Sequence, residues 1–162
     1  MSNLFPWQTS AIKIYTEGQA TLNPPCRWTS GSVGLDLVAD ILEPQLIIPG
    51  YRYRIPTGLA IELPHGLEGQ LRARSSLGEQ GLVVLNSPNT IDSDFRGIIR
   101  VPIIMLPDWR ENPVCSATIE PGERFAQLVI APVWVGDTET VPSIEMLSAT
   151  ERGAGGFGST GR

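Results

Sequence analysis

Five short stretches of this chain hold residue types that handle anions or permit close backbone approach. Arg74-Ser75-Ser76-Leu77-Gly78 sets a guanidinium beside two hydroxyls where a strand pattern gives way to a helical turn. Unpaired N–H groups at a helix start attract anions, and the arginine and hydroxyls would complete a phosphate cradle. A serine N-cap beside a surface arginine would read the same way. The run Asn86 to Gly97 packs turn formers with Asp92, Asp94 and Phe95. Asp92 suits a general base on water if it faces a closed, partly dry site, and Asp94 suits an Asx turn closure. Solvated turn carboxylates remain the alternative for both.

Asp36 lies between apolar neighbours in Gly34-Leu35-Asp36-Leu37. A carboxylate near a strand core needs a partner: an arginine, backbone amides or a metal-bound water. In Arg124-Phe125-Ala126-Gln127-Leu128, strict alternation puts Arg124, Ala126 and Leu128 on one face, with Phe125 and Gln127 on the other. Gln127 is then either a satisfied rim group or a ligand contact. The tail from Arg152 to Gly161 combines glycines with Phe157, Ser159 and Thr160. Such a segment cannot fold on its own and needs something to order it. His65, the only histidine, reads as a turn residue, and no serine–histidine triad, zinc site or Walker loop is present.

The elements that must hold these groups read as strands. Ala11–Tyr15, Gly34–Ala39, Leu46–Ile48, Tyr51–Leu63, Leu67–Ala73, Val83–Leu85, Ile98–Leu106 and Phe125–Val135 carry strand patterning between turns such as Pro49-Gly50, Pro64-His65-Gly66 and Pro121-Gly122. Thr16–Ser32 reads as a polar loop, and Ser75–Gln80 as the one helical turn. The pattern predicts an all-β sandwich or closed barrel.

Composition bounds the function. With 162 residues and 41% hydrophobic content, one domain with its own core is expected. A net charge of −5 argues against polymeric nucleic acid but allows a small anion held by local arginines. No apolar run reaches the roughly eighteen residues of a membrane span, and residues 1–10 lack a secretory pattern. Cys26 and Cys115 have no metal-like spacing, and free thiols in a reducing compartment are favoured over a disulfide.

Taken in order, the five stretches resemble the motifs of the trimeric dUTPase family. Gly34-Leu35-Asp36-Leu37, Arg74-Ser75-Ser76-Leu77, Asn86 to Gly97, Glu123 to Leu128 and the Arg152–Gly161 tail correspond to its first to fifth motifs. Both order and spacing agree, from about residue 12 to the C-terminus. The resemblance implies a jelly-roll-like β-barrel with one short helix. It also implies a homotrimer with shared sites, a barrel domain over 1–150 and a glycine-rich lid over 151–162. The activity implied is magnesium-dependent hydrolysis of dUTP to dUMP and pyrophosphate, which keeps uracil out of DNA and supplies dUMP for dTMP synthesis.

The same resemblance assigns roles. Asp92 would activate the water that attacks the α-phosphorus. Arg74, Ser75, Ser76 and Gln127 would hold the phosphates, and Arg152, Ser159 and Thr160 would close over them. Asn86 with the backbone of Thr90, Ile91 and Asp92 would read uracil. Phe95 would exclude a 2′-hydroxyl, Phe157 beside Gly158 would cover the base, and Arg100 would contact substrate. Asp36 would position Mg2+ through water, the ion being held mainly by the substrate phosphates.

The chain departs from the family pattern at a few positions. Phe95 stands where tyrosine is usual, Asn89 where glycine is usual, Leu35 where an aromatic is common, and Leu106–Ala117 is longer. Asparagine at 89 is expected to tolerate a left-handed turn. Two rivals remain. The related dCTP deaminases rely on a glutamate just beyond the hairpin, and Ile98–Leu106 contains no carboxylate. A non-catalytic protein that keeps the fold would have little need of all five motifs.

Overall fold

A computed structural model describes residues 11–108 and 116–155 of the chain. In order these form β1 (Lys13–Thr16), α1 (Gly18–Leu22), β2 (Leu35–Val38), β3 (Gln45–Ile47), β4 (Arg52–Pro56), β5 (Leu59–Glu62), β6 (Leu67–Ala73), α2 (Ser75–Glu79), β7 (Leu82–Val84), β8 (Asn89–Ile91), β9 (Arg100–Met105), β10 (Ala117–Ile119) and β11 (Arg124–Pro132). A 3-10 turn follows at Ile144–Met146.

The expected alternation is clearest in β6 and β9. Leu67, Gly69 and Leu71 point inward from β6, and Val101, Ile103 and Met105 from β9. They meet Leu37, Ile47, Ile119, Phe125 and Leu128 in one apolar core. Phe125 is fully enclosed, and its truncation to alanine would cost about 3–5 kcal/mol. The fold is all-β and of jelly-roll type. Among the described residues its antiparallel ladders form four separate sheets, not one closed barrel: β2-β11-β6-β8, β4-β9-β7, β1-β5 and β10-β3.

Two expectations about elements need correction. The Thr16–Ser32 loop contains α1, so the described residues hold two short α-helices and not one. Tertiary contact makes α1: the Gln19 amide donates to Asp40 Oδ1 at 2.8 Å. Gly18 (φ +52°) lets the backbone come so close to Asp40 that any Cβ would overlap its carboxylate. The Asn86–Gly97 segment is likewise not all turn, because β8 pairs with β6 through Gly69–Ile91, Gln70–Thr90 and Leu71–Asn89.

Thr57 anchors the exit of that segment. It is fully buried, and its hydroxyl donates to the Ile99 carbonyl at 2.9 Å and accepts from the Leu59 amide at 3.3 Å. A buried hydroxyl is tolerated only when paired in this way. Beyond β11, Val133 donates its amide to the Gly66 carbonyl. Trp134, Val135, Ile144, Met146 and Leu147 then lie exposed along the arm that follows. No helix among the described residues is long and apolar enough to cross a membrane.

Candidate active site

The order of the largest sheet decides which motifs meet. β11 lies between β2 and β6, so Asp36 on β2, Gln127 on β11 and Arg74 just after β6 converge at one end. Asp36 is the hub. Its Oδ1 is 3.5 Å from Arg74 Nε, and its Oδ2 is 3.4 Å from Arg124 Nη1. The carboxylate thus found arginine partners, one of the three solutions open to it. Arg74 Nη1 also donates to the Arg124 carbonyl at 2.7 Å. The two guanidiniums share this one carboxylate, while Glu123 also lines the cavity beside them.

A β-bulge assembles this group. The β11–β2 register slips between Arg124 and Ala126, so the strict alternation expected for Arg124–Leu128 fails. Phe125 and Ala126 are both fully buried. Bulges re-aim side chains in this way. Arg124 reaches Asp36, while Gln127 Nε2 donates to the Ala73 carbonyl at 3.0 Å. Gly34 makes room, because any Cβ there would collide with the Gln127 amide. Ser75 and Ser76 are exposed on α2, and Arg74, not a serine, holds the N-cap position without a side-chain cap bond. A cavity of about 550 Å³ opens beside Asp36, Val38, Arg74, Arg124 and Trp28.

The hairpin lies elsewhere on the sheet. Thr90 is exposed, Ile91 is buried on the core side, and Asp92 is exposed beside a second cavity of about 500 Å³. Asn86 has φ +57°, the only non-glycine left-handed residue among those described. The conformation expected at Asn89 therefore belongs to Asn86, and Asn89 is ordinary strand. The turn after β8 is closed by the Phe95 amide donating to the Asp92 carbonyl at 3.1 Å. Backbone atoms, not the Asp94 carboxylate expected there, make that bond. Phe95 is 41% exposed, and its ring fills the space a Cβ on Gly97 would need.

One chain keeps the two groups apart. Ile91 pairs with Gly69, whereas Ala126 and Ala73 pair at the other end of β6. Asp92 and Arg74 are thus separated by about six strand residues, or ~20 Å. Arg100 opens β9 opposite Pro56, exposed, and lines neither cavity. Arg152 is exposed, and its Nε donates to the Gly155 carbonyl at 2.9 Å. Phe157, Gly158, Ser159 and Thr160 lie outside the described residues. Sequence reasoning overlooked Arg124 and Trp28. Arg124 sits in the fourth motif, but only the bulge turns it toward Asp36, and nothing in sequence tied Trp28 to the site.

An all-β body thus carries an arginine–carboxylate cluster on one sheet end and a carboxylate-bearing hairpin on the other, donor types that suit a phosphorylated ligand. A family model described as dUTPase matches residues 20–161. The deoxyuridine 5'-triphosphate nucleotidohydrolase of Chlamydia trachomatis serovar L2 is 48% identical over 151 residues, covering 93% of this chain and 99% of the relative. The chain belongs to the dUTPase family. A point mutant of the Staphylococcus bacteriophage 80alpha dUTPase, solved with dUpNHpp, is 26% identical at a TM-score of 0.81, covering 95% of this chain and all of that one. A mutant dUTPase of S. aureus phage phi11 shares the fold at 21% identity and a TM-score of 0.71, covering 85% of this chain and all of that one. That phage protein coordinates a structural Mg(II) ion. The family and its relatives make this chain a dUTP-hydrolysing enzyme.

Proposed function

We propose that the chain hydrolyses dUTP to dUMP and pyrophosphate in a homotrimer, with Asp92 of one subunit acting on phosphates cradled by another. The ~20 Å between Asp92 and Arg74 carries this reading. A base and the phosphorus it serves must lie within a water's reach of each other, and one chain cannot meet that requirement. The exposed apolar arm from Trp134 to Leu147 also supports assembly, because such surface is normally covered in an interface.

In this reading Arg74, Ser75, Ser76 and Gln127 hold the phosphates, with Arg152, Ser159 and Thr160 closing over them. Asp92 accepts the proton of a water attacking the α-phosphorus in line, and pyrophosphate leaves. Catalysis of this kind depends on positioning and charge neutralisation more than on covalent participation. Asn86 with the Thr90–Asp92 backbone reads uracil, and a base that leaves those polar groups unpaired is rejected by roughly 10⁴-fold. Phe95 packs under the deoxyribose, Phe157 with Gly158 covers the base, and Arg100 approaches substrate from a neighbouring copy.

Magnesium fits these residues as a passenger on the substrate. No group of three His, Cys, Asp or Glu among the described residues forms a cage, and Asp36 already faces two guanidiniums. Its ion pairs at 3.4 and 3.5 Å are longer than charge-assisted hydrogen bonds of about 2.7–2.9 Å. Those oxygens can still accept from a metal-bound water, and magnesium retains its waters and favours phosphate ligands. When bound, the ion would neutralise charge on the phosphate oxygens. An exposed free thiol at Cys26 suits a reducing intracellular compartment.

The test is pyrophosphate release with Mg2+ from dUTP, UTP, dCTP and dTTP, comparing the parent with Asp92→Asn. Selective turnover of dUTP by the parent, with kcat lowered about 10²- to 10⁴-fold in the variant, is expected. Equal activity of the two proteins would remove Asp92 from its role.

A further inference from the structure

Trp28 is 64% exposed, yet its ring lies 4.4 Å from the Arg124 guanidinium carbon. A tryptophan that open is not held by core packing, so the stack is not a by-product of burial. It lies at the end of a continuous chain of contacts. Trp28 supports Arg124, Arg124 meets Asp36, and Asp36 meets Arg74. All four line the same cavity.

We infer that Trp28 is a positioning residue for the phosphate cradle, acting through Arg124 and Asp36 on Arg74. This rests on the proposed role of Arg74 in binding phosphate. The two ion pairs are too long to fix guanidinium orientation by themselves. Arg124 is a long side chain at the cavity wall, 41% exposed, and nothing in its ion pair stops it from swinging into solvent. An indole face supplies the missing constraint, because guanidinium planes stack on aromatic rings. With Arg124 pinned, Asp36 is shared between two cations, and Arg74, whose Nη1 is held by the Arg124 carbonyl, keeps its Nη2 edge for an incoming triphosphate. Without the ring, Asp36 pairs with Arg74 alone and competes with phosphate for it.

The experiment is steady-state kinetics on dUTP for Trp28→Leu, Trp28→Phe, Arg124→Gln, the Trp28→Leu/Arg124→Gln pair and Arg74→Ala, with Tm measured for each. Trp28→Leu is expected to raise KM by about three- to tenfold, the scale of a lost cation–π contact, with kcat within about twofold. Trp28→Phe, which keeps a ring face, should recover most of that loss. In the Arg124→Gln background, Trp28→Leu should add nothing, as expected for residues acting on one path. Parent-like KM in Trp28→Leu, additive effects in the pair, or equal loss in Leu and Phe would overturn the inference. An Arg74→Ala variant with unchanged KM would instead overturn the cradle itself, which separates the two failures.

Discussion

The side-chain amide of Gln127 occupies the space that a Cβ on Gly34 would fill. The glycine of the first motif is therefore a steric condition for the glutamine of the fourth, across the β2–β11 ladder. Gly34→Ala should displace the amide from the Ala73 carbonyl and lower stability by about 1–3 kcal/mol. A rise in KM for dUTP should accompany it. Adding Gln127→Ala removes the clash, so the double variant should regain Tm without regaining KM. Thermal melts and kinetics on the three proteins check this, and a further drop in Tm in the double variant would contradict it.

Asn86 separates backbone from side chain. Its φ of +57° costs an ordinary L-residue about 1–2 kcal/mol, but glycine nothing. Asn86→Gly should therefore keep Tm while losing the proposed uracil contact, lowering kcat/KM for dUTP about 10- to 100-fold. Asn86→Ala should lose both. Equal Tm in the two variants would argue against the backbone assignment.

Mixing of variant subunits tests the shared site. Asp92→Asn and Arg74→Ala homo-oligomers should each be nearly inactive. Co-expressed, they should recover dUTP hydrolysis, because some sites then combine an intact hairpin with an intact cradle. Activity no greater than the sum of the separate variants would mean that each site uses residues of one chain.

The Lys13–Glu62 pair at 3.0 Å predicts a pH signature. The Lys13 hydrogen bond, then its charge, holds the Glu62 carboxyl below its ordinary range. A depressed folded-state pKa gives stabilisation that is present above the unfolded value, about 4.3. That stabilisation is lost as pH falls through the folded value. Lys13→Met should therefore lower Tm slightly at pH 7, and the difference should shrink as the pH is lowered into the acid range. Salt should shrink the difference, since both partners are solvent-exposed.

Period-two patterning located most strands because inward residues such as Leu67, Leu71, Val101 and Ile103 obey it in the finished core. What the pattern could not carry was contact at long sequence separation. Asp40 makes α1 by accepting from Gln19, β6 turns Asn89–Ile91 into a strand, and the bulge at Phe125 brings Arg124 to Asp36. That Asp36 needs a partner was legible from residue type, since a half-buried carboxylate takes an arginine, backbone amides or a metal-bound water. Which cation, and that Trp28 stands behind it, depended on how strands far apart in sequence are paired.

The length of β6 has a consequence for inheritance. It holds the hairpin and the proposed cradle about six strand residues apart, or ~20 Å, so under the proposed shared site a subunit damaged at one end still serves a neighbour with the other. A cell whose two gene copies are each defective, one near Asp92 and one near Arg74, would keep part of its activity. In a genetic cross such alleles would behave as though they lay in two different genes, whereas two alleles damaged at the same end would not.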